Sequence, residues 1–178
     1  MSPLVRRIQA HEWELTKRLR LRALRDPVAD LAFLDTVENA SAQPDAFWQE
    51  RTRAAAEGGP HAQFVAIAEN GDEYGTATVL PRTDAPRQGL VVGVYVAEGH
   101  RGAGTIEALF DACAAWGIAQ GYSDLVLEVH VDNARAQRAY ARCGFVRTGE
   151  ITELANGREY VMRRGLPQPT DGSDPLVP

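Results

Sequence analysis

A glycine-rich turn between an apolar strand pattern and a helical pattern is the segment best suited to bind an anion. It reads RGAGTIE over residues 101–107 and follows an apolar run that ends at Val96. Backbone N–H groups at a helix start carry partial positive charge, and Gly102 and Gly104 let a phosphate approach without Cβ obstruction. A phosphate site at this turn is therefore one interpretation, and a tight turn without a ligand is the alternative.

A second segment carries groups that can move protons or form directed hydrogen bonds. Glu128 lies within the apolar run 123–131, Asn133 follows it, and Tyr140 lies on the helical pattern 134–142. Burial in an apolar strand would raise the pKa of Glu128 toward neutrality, which suits a proton acceptor. The alternative is that Glu128 only anchors a neighbouring loop by hydrogen bonds.

The elements that position these groups form a strand-helix-strand unit. The apolar runs 89–96 and 123–131 are typical of strands buried on both faces. Between them, apolar residues at helical spacing predict a helix over about 106–117, which ends before Gly121. A right-handed parallel crossover is expected.

The rest of the chain is predicted to be helical first and β-rich later. The N-terminal third indicates a strand at 4–8 and helices at 11–25, 28–39 and 46–57, the last capped by Asp45. Hairpins are predicted around Asn70-Gly71 and Asn156-Gly157, with strands at 64–68, 74–80, 145–148 and 159–163. The proline-containing residues 165–178 are expected to be a disordered tail, leaving one domain over residues 1–164.

Composition excludes several classes of protein. The 44% hydrophobic and 24% charged residues are typical of a globular chain, and 178 residues suffice for one core. A net charge of −5 argues against nucleic acid as a partner, and no apolar run is long enough to span a membrane. That lack of a spanning run, with no apolar signal core behind Arg6 and Arg7, predicts a cytoplasmic location. Cys113 and Cys143 lack metal-ligand spacing, so we expect free thiols and no metal.

The two segments together resemble the GNAT superfamily of acetyl-coenzyme A-dependent N-acetyltransferases. The turn resembles the family's pyrophosphate motif [QR]-x-x-G-x-[GA] through Arg101 and Gly104, although Ile106 stands where the family usually has glycine or alanine. The second segment resembles the pattern N-x-x-A-x-x-x-Y-x-x-x-G-F through the five residues Asn133, Ala136, Tyr140, Gly144 and Phe145. The resemblance covers about residues 4–164 and implies an α/β fold with a mixed, twisted, six- or seven-stranded sheet and helices on both faces.

The resemblance also implies acetyl-coenzyme A as the cosubstrate and a set of residues that bind it. Its pantetheine arm would run beside β-strand residues, and a main-chain N–H near Tyr95 or Val96 would polarise the thioester carbonyl. The residues implied in cofactor binding are Val94, Tyr95, Val96, Arg101, Gly102, Ala103, Gly104, Thr105, Ile106, Glu107, Asn133 and Ala136.

Acetyl transfer to an amine by direct attack in a ternary complex needs a base for the ammonium and an acid for the leaving thiolate. A phenol of pKa about 10 is a plausible acid for a thiol of pKa about 8.5, and Tyr140 is the candidate, with a purely packing role as the alternative. Glu128 precedes Tyr140 by the spacing seen in N-terminal-alanine ribosomal-protein acetyltransferases, whose corresponding glutamate is assigned as base. Glu38 and a water chain are the other candidates for the base.

The acceptor is expected to be a primary amine of a small molecule or of a peptide N-terminus. By family resemblance, the residues lining its pocket would be Leu31, Leu34, Glu38 and Trp48. A catalytically silent acyl-coenzyme A-binding regulatory protein is the alternative function, motivated by Ile106. Homodimers are common in the family, and the sequence leaves the oligomeric state open.

Overall fold

Seven strands and six α-helices are present within residues 3–168, the part of the chain that this computed structural model describes. In chain order they are β1 (Leu4–Arg7), α1 (Trp13–Leu24), α2 (Ala29–Ala32), α3 (Val37–Ala42), α4 (Asp45–Ala55), β2 (Ala62–Ile67), β3 (Glu73–Pro81), β4 (Gln88–Val96), α5 (Thr105–Ala119), β5 (Asp124–His130), α6 (Ala134–Arg142), β6 (Val146–Leu154) and β7 (Gly157–Gly165). A single 3-10 turn, Glu98–His100, lies between β4 and α5.

All seven strands form one mixed sheet in the order β1-β2-β3-β4-β5-β7-β6. Every neighbouring pair is antiparallel except β4 and β5, which are parallel and joined through α5. The predicted mixed α/β sheet, the two hairpins and the parallel pair are confirmed. Within the described residues, no helix combines the length and the apolar character that a membrane crossing requires.

Helices cover both faces of the sheet, as predicted. Phe64 of β2 packs in the main core with Leu109 and Phe110 of α5, whereas the adjacent Val65 packs in a second cluster with Leu19 of α1. Because successive strand residues point to opposite faces, α5 lies on one face of the sheet and α1 on the other. Burying a side chain such as Phe110 contributes about 1.5–3 kcal/mol to the folded state.

The N-terminal helices differ from the prediction. The single helix expected over 28–39 is two helices, because Phe33 is extended (φ −142°, ψ 142°) and Thr36 starts α3 by accepting a 3.2 Å hydrogen bond from the Asn39 amide. The predicted capping role of Asp45 is wrong, because Pro44 occupies the N-cap and the Asp45 carboxylate pairs with Lys17 at 3.0 Å.

The predicted boundary between domain and tail lies a few residues too early. Gly165 is the last residue of β7, and Leu166 is buried against the main core. Gln168 then donates a 3.2 Å hydrogen bond from Nε2 to the carbonyl of Tyr122. Residues 165–168 therefore pack on the domain, and the rest of the predicted tail, 169–178, lies outside the described residues.

Candidate active site

The parallel strands β4 and β5 pair over only three residues each and then separate. The pairing runs from Gln88 with Asp124 to Leu90 with Val126, although β4 continues to Val96. Two cavities lie at the gap beyond this pairing. We call them the turn cavity, of about 280 Å³ beside the glycine-rich turn, and the strand cavity, of about 290 Å³ between β4, β5, β7 and the N-terminal helices. A gap between parallel strands leaves main-chain groups free to bind a ligand.

The two cavities meet at a small set of shared residues. Those that line both are Ala32, Val94, Asn133 and Tyr140. Val94 comes from β4, and Asn133 and Tyr140 come from the segment that follows β5. A ligand in either cavity would therefore lie against Tyr140.

The glycine-rich turn has the geometry that an anion-binding site requires. Gly102 and Gly104 have φ of 76° and 80°, and a Cβ added to either would meet no atom within 4 Å. The first backbone hydrogen bond of α5 runs from the Ala108 amide to the Gly104 carbonyl at 3.0 Å. Within the described residues, the amides of 102–107 donate no hydrogen bond to protein groups. They are therefore available to a ligand, as a helix N-terminus that binds phosphate requires.

Ten of the twelve residues predicted to bind the cofactor line the turn cavity. They are Val94, Tyr95, Val96, Arg101, Gly102, Thr105, Ile106, Glu107, Asn133 and Ala136. Ala103 and Gly104 do not line it. Gly104 is instead the N-cap of α5. Its backbone is in the left-handed conformation, which a residue with a Cβ adopts only with strain.

Arg101 is held by protein groups rather than left free for a phosphate. Its Nε donates to the Val96 carbonyl at 2.8 Å, and its guanidinium pairs with the buried carboxylate of Asp26. The side chain therefore ties the turn to the end of β4 and to the segment after α1. Ile106, which departs from the family motif, both lines the turn cavity and packs against the main core.

Three arginines of α6 give the turn cavity a positive lining that the sequence analysis missed. Arg135, Arg138 and Arg142 are three and four residues apart, so they share one face of the helix, and all three line the cavity. Within residues 3–168 none of them forms an ion pair with an acidic side chain. In a chain of net charge −5 this lining favours an anionic ligand. Their spacing after Asn133 was the signal available in the sequence.

A bulge in β4 was also missed, and it lies beyond the part of β4 that pairs with β5. Thr76 pairs with Tyr95 and Thr78 with Val92, so Gly93 and Val94 together oppose one residue of β3. Gly93 has φ of 63°, as the first residue of a glycine bulge does. The bulge interrupts the regular pairing of β4 with β3 at Gly93 and Val94, immediately before the predicted Tyr95 and Val96. A glycine inside an apolar strand run was its signal.

Tyr140 lies where its phenol can serve both cavities. Its ring packs edge-on against Phe110, with centroids 5.4 Å apart. Burial raises the pKa of the Tyr140 phenol, and the nearby Cys143 and Glu159 raise that pKa further, while Arg135 lowers it. At neutral pH the phenol is therefore protonated.

Asn133 has a structural role together with its place at the site. It is the N-cap of α6, and its Oδ1 accepts a 3.1 Å hydrogen bond from the Ala136 amide. The side chain is buried and lines both cavities. The capping bond explains why this position favours asparagine.

Glu128 lines the strand cavity, but the prediction that its side chain is buried is wrong. Its side chain is exposed and accepts a 2.8 Å hydrogen bond from Thr152 Oγ1. The carboxylate that is buried in this region is Glu159 of β7, 8% exposed, which lines the same cavity. Burial raises the pKa of Glu159, the charge of Glu128 raises it further, and Asn156 and His130 act in the opposite direction.

His130 of β5 lies directly opposite Glu159 of β7 in the sheet, and its hydrogen bonds fix one tautomer. Its Nδ1 accepts a 3.1 Å hydrogen bond from the Asp132 amide, so Nε2 carries the proton and donates to the Asn156 carbonyl at 3.0 Å. Both ring nitrogens thus have partners. The sequence could not indicate Glu159, because only the register of β5 with β7 brings it beside His130.

Two of the four residues predicted for the acceptor pocket line a cavity, and two do not. Leu31 and Leu34 line the strand cavity. Glu38 is exposed on α3 and lines neither cavity. Trp48 is 1% exposed and belongs to a core cluster with Leu24, because α4 turns this face toward α1 rather than toward the gap. The expectations for Glu38 and Trp48 are therefore corrected.

Comparison with known proteins identifies the class to which this fold and site belong. The family model "Acetyltransferase (GNAT) family" matches residues 26–145, more than half of the chain. The protein belongs to the GNAT acetyltransferase family.

One relative agrees with this assignment. A probable N-acetyltransferase family 8 member 5 from Mus musculus is 35% identical over 98 residues, which are 53% of this chain. The match spans 43% of the length of that relative.

Two solved structures share the fold at low sequence identity. A GNAT family acetyltransferase from Streptococcus pneumoniae superposes with a TM-score of 0.76 at 17% identity, over 93% of this chain and 100% of that one. A phosphinothricin acetyltransferase from Sinorhizobium meliloti, solved in complex with AcCoA, superposes with a TM-score of 0.71 at 18% identity, over 98% of this chain and 97% of that one.

Proposed function

We propose that this protein is an N-acetyltransferase that moves an acetyl group from acetyl-coenzyme A to a primary amine. The observation that carries the proposal is the meeting of two cavities at Val94 and Tyr140, in the gap between β4 and β5. One cavity has features suited to a large anion, and the other has a buried carboxylate suited to an amine. Transfer between two bound molecules requires such an arrangement.

The residues of the turn cavity fit acetyl-coenzyme A as the cosubstrate. The unpartnered amides of 102–107 suit the diphosphate, and the α6 arginines suit further phosphate charge. The free side of β4 beyond Leu90 suits an extended arm bound like an added strand. When bound, the thioester supplies the acetyl group, and a main-chain N–H at or just after the bulge, at Val94, Tyr95 or Val96, would polarise its carbonyl.

The reaction needs two proton transfers, and the site has a candidate group for each. The neutral amine attacks the acetyl carbon, a C–N bond forms, and the C–S bond breaks to leave a thiolate. Tyr140, which is protonated at neutral pH, donates its proton to that thiolate. The attacking ammonium loses one proton before attack and a second on forming the amide, and these protons leave through a carboxylate or water.

Glu159 is the strongest candidate for the base, ahead of Glu128. It is buried in the strand cavity, its pKa is raised, and its charge is felt by Tyr140. A raised pKa suits proton abstraction better than the exposed position of Glu128 does. Glu38 lines neither cavity, and a water chain remains the third route.

Direct attack is favoured over a covalent acetyl-cysteine route. Neither Cys113 nor Cys143 lines a cavity, and both are buried. Burial raises the pKa of Cys143 to about 11, so its thiol is protonated at neutral pH. A protonated thiol away from both cavities is a poor nucleophile for the thioester.

The same geometry argues against the alternative function, a silent acyl-coenzyme A-binding protein. A silent acyl-coenzyme A-binding protein would have no use for a second cavity with a buried carboxylate beside Tyr140. The family name and the name of the mouse relative support the enzyme. The cytoplasmic location and the homodimer stay predictions.

A two-stage experiment tests the proposal. Thermal unfolding is first followed with acetyl-coenzyme A, ATP or NAD, and only the thioester should raise the melting temperature by several degrees. Thiol release is then followed over a panel of primary amines. Amine-dependent release supports the proposal, whereas tight thioester binding with no release on any amine would favour the silent binding protein.

A further inference from the structure

The strand cavity has charges of opposite sign on its two sides. Arg20 of α1 and Arg51 of α4 line it from the helical side, and Glu128 of β5 and Glu159 of β7 line it from the strand side. The helical side lies over the half of the sheet containing β2, because α1 and α4 pack there. The strand side lies beyond the gap between β4 and β5.

The charge of Arg20 is already compensated by the protein. Its Nη2 pairs with Asp35 Oδ2 at 3.2 Å, and its guanidinium lies over the Phe33 ring, 4.7 Å from the centroid. These contacts fix Arg20 at the cavity wall. The helical side of the cavity therefore contains two guanidinium groups and one carboxylate, that of Asp35.

Arg51 is the second of these guanidinium groups, and Asp35 forms its ion pair with Arg20 instead. Within residues 3–168 it forms no ion pair with an acidic side chain, although it lines the cavity. Arg51 is exposed as a whole residue, but desolvation of its guanidinium by the surrounding protein and the charge of Arg20 lower its pKa, while Asp35 acts in the opposite direction. An arginine so placed gains most from an anion that can accept two of its N–H groups.

We infer that the strand cavity binds an acceptor carrying a carboxylate, or a similar oxyanion, together with its primary amine, as a free amino acid does. This inference rests on the proposed acetyl transfer and specifies its substrate class. Arg51 would bind the oxyanion, and the amine would then lie toward Glu159 and Tyr140. A cavity of about 290 Å³ is at the small end for ligand sites, which also favours a small acceptor over a peptide chain.

The test compares free amino acids with their carboxamides, which differ only in the anionic group. Thiol release from acetyl-coenzyme A is measured for glycine, alanine, methionine and glutamate and for the corresponding carboxamides. The amide's amino group has the lower pKa, about 8, so the comparison is biased against the inference. We expect kcat/KM for the best free acid to exceed that of its carboxamide by about 10- to 100-fold, as a charged hydrogen bond provides.

Variants on one helix assign that preference to Arg51. Arg51→Gln should bring the ratio of acid to carboxamide to within about twofold, and Arg51→Lys should retain only part of it, because lysine keeps the charge but not the paired N–H donors. Arg53→Gln is the matched control, because Arg53 is on the same helix, pairs with Glu50 and lines neither cavity. Thermal unfolding with acetyl-coenzyme A confirms that each variant is folded.

The possible outcomes separate this inference from the proposed function. Thiol release with equal or better use of the carboxamides overturns the inference alone, as does an acid preference that survives in Arg51→Gln. No release with any amine, from protein that binds the thioester, overturns the proposed function and this inference with it.

Discussion

Glu159 and Tyr140 line the strand cavity from two different elements, and the charge of Glu159 raises the pKa of the Tyr140 phenol. One residue comes from β7 and the other from α6. A carboxylate that can accept a proton thus lies near a phenol that can donate one. This pairing makes the chemistry of the site testable residue by residue.

The pH dependence of turnover should identify the base. In the wild-type protein we expect kcat/KM to fall as the pH drops through the raised pKa of Glu159, because the protonated carboxyl cannot accept the ammonium proton. Glu159→Gln should lower the rate about 100-fold and remove this acidic limb. Glu128→Gln should keep it. If the limb persists in Glu159→Gln and disappears in Glu128→Gln, the base is Glu128.

The same carboxyl should make stability depend on pH. Its pKa is raised in the folded protein, so the folded state binds more protons than the unfolded state, and stability falls as the pH rises above about 4.3. Glu159→Gln should therefore become more stable relative to wild type as the pH is raised from 4 to 8, because only the wild-type protein loses the stabilising proton. Urea unfolding at both pH values measures this change. Glu153→Gln, an exposed position on β6 outside both cavities, should show no such gain.

The arginines of α6 should contribute an electrostatic part of cofactor binding. Replacing Arg135 and Arg138 by alanine should raise the Kd for coenzyme A about tenfold at low salt, and less at high salt because the lost attraction is screened. Titration calorimetry at two salt concentrations measures both effects. Arg158→Ala removes an exposed charge outside both cavities and should leave the Kd unchanged. Equal losses in the two variants would mean that only net charge matters.

The left-handed conformation at Gly104 should limit substitution there. Its φ of 80° strains any residue with a Cβ, so Gly104→Ala should lose about 1 kcal/mol of unfolding free energy and bind the thioester more weakly. Gly99→Ala is the matched control, because it lies in the preceding 3-10 turn, has open space around it and has no positive φ. Denaturant unfolding and thioester titration of both variants provide the comparison, and a Gly104→Ala protein as stable as Gly99→Ala would contradict it.

The sequence predicted the parts of the site that local patterns determine. The open turn at 102–107 and the helix bearing Tyr140 follow from glycine placement, apolar periodicity and capping, which act over a few residues. The parallel pairing of β4 with β5 followed from two apolar runs joined by a helix.

The parts that were missed depend on contacts between distant segments. Glu159 reaches His130 only through the register of β5 with β7, and Arg51 reaches the strand cavity only through the packing of α4. Glu38 and Trp48 were misplaced for the same reason, since packing of the N-terminal helices decides which of their faces points to the gap. The bulge at Gly93 had a local signal, but its effect on Val94 depends on the register with β3.

The most direct test of the account is the turnover of Tyr140→Phe at saturating acetyl-coenzyme A, with Tyr122→Phe as the control. Tyr122 is also buried but lines neither cavity. We predict that Tyr140→Phe lowers kcat at least about 100-fold while the KM for acetyl-coenzyme A changes less than about threefold, because only proton donation to the thiolate is lost. Equal kcat values for Tyr140→Phe, Tyr122→Phe and the wild-type protein would contradict the account.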